Sequence, residues 1–193
     1  MKSPFYFLVF FCFCFTVIAQ EEETESEKRL NSFSDAKRHE LSLDVTASLA
    51  IPALQPRYEH ILGRYAGIGV DLFLALSDDE INYDELEKFS ITPFYRQYFF
   101  SKEDYGAKGF YGEGFLKAYT YKTEEYFYGN TVKKENYFET ALGVSIGWKW
   151  VSNSGFMIDL SFGIGRNLGF TSQPEELRIA TIPRGGVHFG WRF

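Results

Sequence analysis

The ten residues FMIDLSFGIG, from Phe156 to Gly165, decide the fold of this chain. Every second residue is large and apolar, and apart from Met157 the residues between them are small or charged. Side chains point alternately to opposite faces of a β-strand, whereas a helix would scatter these residues around its circumference. The segment is therefore predicted to be a strand with one apolar face and one small or polar face.

The same alternation recurs along the rest of the chain. Seven further strands are predicted at 40–49, 54–62, 67–76, 91–100, 110–121, 139–150 and 186–193. Near the second of them, Pro52 and Pro56 remove backbone donors, which predicts a turn and a locally weakened ladder. Aromatic residues, which are favoured in strands, make up 19% of the chain. The fold class is therefore predicted to be all-β, with about eight strands.

The links between these strands alternate in length. The second, fourth and sixth links, near Arg64 and at 101–106 and 152–155, are short, and the third, fifth and seventh, at 77–88, 122–136 and 166–180, are longer and polar. Only the first link, near Pro52, breaks the pattern by being short. Membrane barrels have short turns at one end and longer loops at the other. The pattern predicts a closed antiparallel up-and-down transmembrane β-barrel whose final strand ends on the short-turn, periplasmic side.

The two faces of the strands differ in bulk, and this difference predicts their orientation. Eight strands leave an interior just wide enough for side chains to fill. The apolar face carries Leu, Ile, Phe and Trp at nearly every position and would be hard to fit inside, so we expect it outside. The other face then lines the lumen, with six acidic and five basic residues: Asp44, Arg57, Glu59, Asp71, Arg96, Glu113, Lys117, Glu139, Lys149, Asp159 and Arg192.

These eleven charges nearly balance one another. An isolated buried charge costs several kcal/mol, so burial is economical only when opposite charges pair. We therefore predict an internal salt-bridge network that plugs the lumen. Two alternatives stay open from the sequence: a narrow ion-conducting path along the same charges, and a soluble barrel that exposes this face to water.

The amino-terminal residues predict export. Residues 1–19 carry one charge, Lys2, followed by an apolar core, and are typical of a signal peptide cleaved after Ala19. An uncleaved membrane anchor is the alternative. Cys12 and Cys14 both lie in this segment, so the mature chain is expected to have neither disulfides nor thiolate metal sites.

Charge and hydropathy limit the functions of the remaining chain. The net charge is −6 and no basic stripe occurs, which excludes nucleic acid as a partner. Because the mean hydropathy is −0.22 and no second apolar run is long enough for a helical span, any membrane role must come from strands. Residues 20–38 are predicted to be an acidic, flexible segment or, alternatively, a partner-binding arm. The barrel domain is predicted at 39–193.

Five short stretches carry a resemblance to a known class. They are ITPFYR from Ile91, SGF from Ser154, GIGRN from Gly163, PRGG from Pro183 and the ending WRF. Across 40–193 the chain resembles the small outer-membrane β-barrels of Gram-negative bacteria, of the OmpA and OmpX type. It is most similar to a family of such barrels without an assigned function.

The resemblance implies a location and partners rather than a reaction. The location is the outer membrane of a Gram-negative bacterium, among outer-membrane lipid and lipopolysaccharide. The barrel-assembly machinery would read Phe189, Trp191 and Phe193 as a C-terminal assembly signal. His188 stands where that signal usually has glycine.

Residues that could carry chemistry are few. Some barrels of this class are lipid A deacylases that use a histidine, a serine and a carboxylate, but His39, His60 and His188 have no supporting spacing. We therefore predict no catalytic, cofactor-binding or metal site, and no enzyme. The expected function is a structural or loop-mediated interaction role for a monomer. The alternatives are a soluble, lipocalin-like ligand-binding barrel and a lipid-modifying outer-membrane enzyme.

Overall fold

The computed structural model describes residues 37–46, 52–76, 85–99, 106–127, 131–170 and 180–193. The predicted signal peptide and nearly all of the acidic segment lie outside these residues. The strands are β1 (His39–Asp44), β2 (Ala53–Leu54), β3 (Pro56–Gly63), β4 (Ala66–Ala75), β5 (Glu85–Tyr98), β6 (Gly109–Phe127), β7 (Thr131–Val151), β8 (Phe156–Asn167) and β9 (Thr181–Arg192). Within the described ranges, no helix has the length and apolar character needed to cross a membrane.

The strands form a closed antiparallel barrel. β1 pairs with β3, each strand from β3 onward pairs with the next along the chain, and β9 returns to pair with β1. The segments β2 and β3 both pair with β4 and are two parts of one strand interrupted at Gln55, so the barrel has eight strands. The all-β, eight-stranded, up-and-down barrel predicted from the alternation is confirmed. The interruption lies between Pro52 and Pro56 and also confirms the weakened ladder predicted there.

Strand β1 is shorter than predicted, because it ends at Asp44 and not at residue 49. Val45 and Thr46 already have helical backbone. The Asp44 carboxylate accepts the backbone N–H of Thr46 at 2.7 Å, which is the hydrogen bond that caps the start of a helical turn. A local cap therefore overrides the period-two pattern, whose remaining residues at 47–51 lie outside the described ranges.

The links agree with prediction at two turns and differ at two others. The turn at Arg64 and Tyr65 and the turn at 152–155 are short, as predicted. The polar segment 122–136, predicted to be a loop, is mostly strand, since β6 and β7 stay paired as far as Phe127 and Thr131. The link between β5 and β6 spans 99–108 and is longer than predicted.

Large apolar side chains cover the outside of the barrel. On β7, the alternate residues Leu142, Val144, Ile146, Trp148 and Trp150 are all between 46% and 64% exposed. Comparable exposed rows on the neighbouring strands are Phe156, Leu160, Phe162 and Ile164 on β8 and Phe189 and Trp191 on β9, followed by Phe193. The charged face points inward, as the bulk of the two faces predicts.

Glycines on the inner face make room for aromatic rings. A Cβ atom on Gly147 would lie 2.4 Å from the ring of Tyr111, and one on Gly143 would lie 2.3 Å from the ring of Phe115. Both rings are buried. The small residues that alternate with bulky ones in the sequence thus leave the space into which inward-pointing rings pack.

This packing predicts a position-dependent cost for adding one methyl group. Gly147→Ala is expected to lower the free energy of unfolding by about 1–3 kcal/mol, because the new Cβ would displace Tyr111. Gly114→Ala is the matched control, since its Cβ would meet nothing within 4 Å. Urea unfolding of both variants measures the difference, and equal stabilities would contradict the packing described here.

Candidate functional site: the ionic network in the lumen

Strand register brings opposite charges together inside the barrel. An acid and a base directly oppose each other at four places on neighbouring strands: Arg57 and Asp71, Arg96 and Glu113, Lys149 and Asp159, and Glu40 and Arg192. All of them except Lys149 and Asp159 are also in direct ion-pair contact. All eight side chains are almost completely buried. Opposite charges at opposing positions favour an antiparallel pair, so the same residues that fill the lumen also support the register of the barrel.

Arg96 lies at the centre of the network. Its Nε donates to Glu113 Oε2 at 2.7 Å. Its Nη1 lies 2.8 Å from both Glu59 Oε2 and Asp159 Oδ2. One guanidinium thus connects carboxylates from three other strands, β3, β6 and β8, across the lumen.

The central cations lie over the faces of aromatic rings. The Arg96 guanidinium lies 4.7 Å from the centre of the Phe94 ring and 4.2 Å from that of Tyr111. Lys149 Nζ lies 4.8 Å from the ring of Tyr98. Cations over ring faces are attracted by the ring quadrupole, most strongly where water is excluded. The aromatics on the inner face therefore contribute to charge burial as well as to packing.

Toward the end opposite the carboxy-terminal residue, two further arginines extend the network. Arg57 makes a bidentate contact with Asp71 and lies 2.9 Å from Asp159 through Nη1. Arg184 bridges Asp71 at 2.5 Å and Glu113 at 2.9 Å. Bidentate arginine–carboxylate pairs fix orientation as well as charge.

At the end of the barrel where the carboxy-terminal residue lies, the network also contacts backbone carbonyl groups. Lys149 Nζ lies 2.6 Å from Glu40 and 2.8 Å from Glu59. Arg192 contacts Glu40 at 2.5 Å and donates to the carbonyls of Gly106 and Ala107 at 2.7 and 2.8 Å. The long link between β5 and β6 is thus tied to the lumen, which explains why it is not a simple short turn.

Ala107 is one of the described residues of that link. It is fully buried and packs with Ile61, Tyr98 and Tyr111. Its φ of 54° is left-handed, a conformation that is unusual for a residue with a Cβ. The N–H of Ala107 donates to Arg64 O at 2.6 Å, so two links close this end of the lumen together.

Counted over the described residues, the connected network is electrically neutral. Its ten members are five acids and five bases: Glu40, Glu59, Asp71, Glu113, Asp159, Arg57, Arg96, Lys149, Arg184 and Arg192. Eight of the eleven side chains proposed from the sequence belong to it. Glu40 and Arg184 were missed, although Glu40 lies on the polar face of the first predicted strand and Arg184 stands just before the last one.

The other three proposed residues lie outside this network. Lys117 pairs separately with Glu87 at 2.6 Å, where both side chains keep some exposure. Glu139 is buried and accepts the backbone N–H groups of Thr140 and Phe170. Asp44, the third, caps the turn after β1 and stands 3.7 Å from the Nε2 atom of His188.

Hydroxyl groups complete the environment of the central carboxylates. Tyr98 donates to Glu59 and Tyr111 donates to Asp159, both at 2.6 Å, and Ser145 donates to Glu113 at 3.0 Å. Each of these carboxylates therefore accepts at least three hydrogen bonds. Carboxylates that are paired in this way are held in place and are poorly suited to take a proton from a substrate.

The described residues do not form a nucleophilic pair around the inward histidine. His188 faces the lumen, as predicted, but neither of its ring nitrogens hydrogen-bonds to a described residue, and the same holds for Ser161 Oγ. In the part of the chain that the structure describes, no group of three or more His, Cys, Asp or Glu residues has metal-binding geometry. What the described residues form in the lumen is a cluster of ion pairs.

Comparisons of the chain with models of known families, with curated proteins and with solved structures give no match. The resemblance to small outer-membrane barrels across 40–193 therefore stays a prediction. The function has to be inferred from two features of this chain, the apolar exterior and the neutral ionic lumen.

The network predicts that replacing Arg96 lowers the free energy of unfolding much more than replacing Lys117 does. Arg96→Met is expected to lower the free energy of unfolding by about 3–5 kcal/mol, because it leaves buried carboxylates without their central partner. Lys117→Met is the matched control and should cost about 0–1 kcal/mol, since its pair is partly exposed. Urea unfolding measures both, and similar losses would show that the central cluster is not cooperative.

Proposed function

We propose that this protein is an outer-membrane β-barrel of a Gram-negative bacterium with a non-enzymatic, structural or loop-mediated interaction role. The observation that carries the proposal is the exposed apolar exterior. Contiguous apolar surface of this extent is unfavourable in water for a monomer, whereas a membrane barrel needs an outward apolar band about 25 Å tall. In a lipid bilayer these side chains are in their preferred solvent.

Aromatic residues near the end of the final strand support the same proposal. Trp148 and Trp150 lie 6.1 Å apart on the outside of β7, and Phe156 packs edge-on against Trp191 at 5.8 Å. Tryptophan and tyrosine are enriched where a membrane meets water. Phe189, Trp191 and Phe193 are all exposed on this wall, where an assembly machinery would have access to them.

The lumen argues for a plugged barrel. A soluble ligand-binding barrel needs an apolar cavity for its ligand, but here ten paired charges and three tyrosine or serine hydroxyls occupy the centre. Among the described residues, these pairs leave no uncompensated row of charges that would attract an ion. We infer that the barrel does not act as a pore, and that contacts with partners are made by the links at the end opposite Phe193.

One substitution distinguishes a membrane barrel from a soluble one by the sign of its effect. Ile146→Arg is expected to weaken insertion into phospholipid vesicles by about 2–4 kcal/mol, because it puts a charge in the middle of the lipid-facing row. Ser152→Arg, in an exposed turn, is the control and should insert normally. Heat-modifiable gel migration measures insertion. Native protein that stays soluble, or an Ile146→Arg variant that behaves better in water, would overturn the proposal.

The plug is tested by electrical recording in planar bilayers. The native barrel should be almost silent. The double variant Glu59→Ala with Lys149→Ala removes one acid and one base, leaves Arg96 paired with Glu113 and Asp159, and should conduct measurably. The double variant Glu87→Ala with Lys117→Ala is the control and should stay silent. Conductance on the scale of a porin from the native protein would contradict the plugged lumen.

A further inference from the structure

Two histidines face each other on the outer wall of the barrel. His39 on β1 and His60 on β3 are directly opposing residues of the antiparallel ladder. Their ring centres lie 5.0 Å apart, with an angle of 48° between the ring planes. His39 is exposed and His60 is half-buried. Neither residue takes part in the lumen network.

This separation fits two imidazoles on one metal ion. With a metal–nitrogen bond of about 2.0–2.1 Å, each ring centre lies about 3.2 Å from the ion, and two such rings at angles of about 90–110° have centres about 4.5–5.2 Å apart. The observed 5.0 Å lies within that interval. The backbone register therefore already provides the spacing that chelation requires.

A hydrogen bond orients the first of the two rings. His39 Nδ1 lies 2.7 Å from the hydroxyl oxygen of Tyr58. When Nδ1–H donates to that oxygen, the lone pair of Nε2 is free to bind a metal. A partner on the second nitrogen is what metal-ligating histidines ordinarily have, because it fixes both tautomer and ring orientation.

The surroundings of His39 limit its motion. Its ring stacks on Tyr58 and on Phe193, each at a centre-to-centre distance of 6.0 Å. Its backbone exchanges two hydrogen bonds with Phe193, of 3.0 and 2.8 Å. Ligands that are held before the ion arrives lose less conformational entropy on binding.

We propose that His39 and His60 form a bidentate site for a transition-metal ion on the outer wall, at the rim where the final strand ends. Imidazole suits Cu²⁺, Ni²⁺ and Zn²⁺, whereas Ca²⁺ and Mg²⁺ prefer oxygen ligands. Among the described residues, no third His, Cys, Asp or Glu joins the pair. The ion therefore keeps coordination positions open, and Cu²⁺ binds most tightly of the three. The site does not depend on the proposed function.

Calorimetric titration with Cu²⁺, and in parallel with Zn²⁺, tests the site on the untagged protein folded in detergent. His39→Phe keeps an aromatic ring on Phe193, and His60→Ala removes the second ligand. Each is expected to lose about 100-fold in affinity, because a single imidazole lacks the advantage of chelation. The double variant should show no binding at this site, because neither imidazole remains.

Two further variants separate chelation from general damage. Tyr58→Phe should weaken binding by about 10–100-fold without removing a ligand. His188→Gln, which changes the only other histidine, should bind Cu²⁺ as the native protein does. Heat-modifiable migration first confirms that each variant is folded. The proposal would be overturned if either single variant, or the double variant, bound Cu²⁺ as tightly as the native protein does.

Discussion

The narrow interior of an eight-stranded barrel is the constraint on which the rest of this structure depends. Side chains have to fill it, and here charged ones do so. Burying a charge is tolerable only with a partner, and five acids and five bases satisfy one another around Arg96. Because the polar residues are used inside, the large apolar residues are left for the exterior. The requirement for paired charges in the lumen therefore determines that the outer surface is apolar.

Charge pairing and ring packing are parts of the same arrangement. Arg96 contacts the rings of both Phe94 and Tyr111, and Tyr111 also donates a hydrogen bond to Asp159. The ring of Tyr111 in turn needs the space above Gly147. A glycine, a ring and an ion pair thus depend on one another across neighbouring strands, so a change at one is expected to be felt at the others.

The sequence predicted the barrel and most of the lumen because both follow from a local rule. The period of two shows which residues share a face of each strand, and the bulk of a face indicates whether it points into the lumen or outward. These two rules were enough to identify eight network members. It failed at three places, for different physical reasons. The role of Glu40 depends on Arg192, which only closure of the barrel brings near. The cap at Asp44 ended β1 early, and the paired arms of β6 and β7 resembled a loop because most residues of 122–136 are polar.

Closure by β1 and β9 also has a consequence for the order of folding. Glu40 and Arg192 are separated by 152 residues in sequence, whereas the hairpins between them join strands that are neighbours along the chain. Contacts between distant residues form slowly, because the entropy of a large loop has to be lost first. The hairpins are therefore expected to form before the seam. Until the seam forms, β1 has an unpaired edge open to other chains, so the last step of folding is also the one most exposed to misassembly.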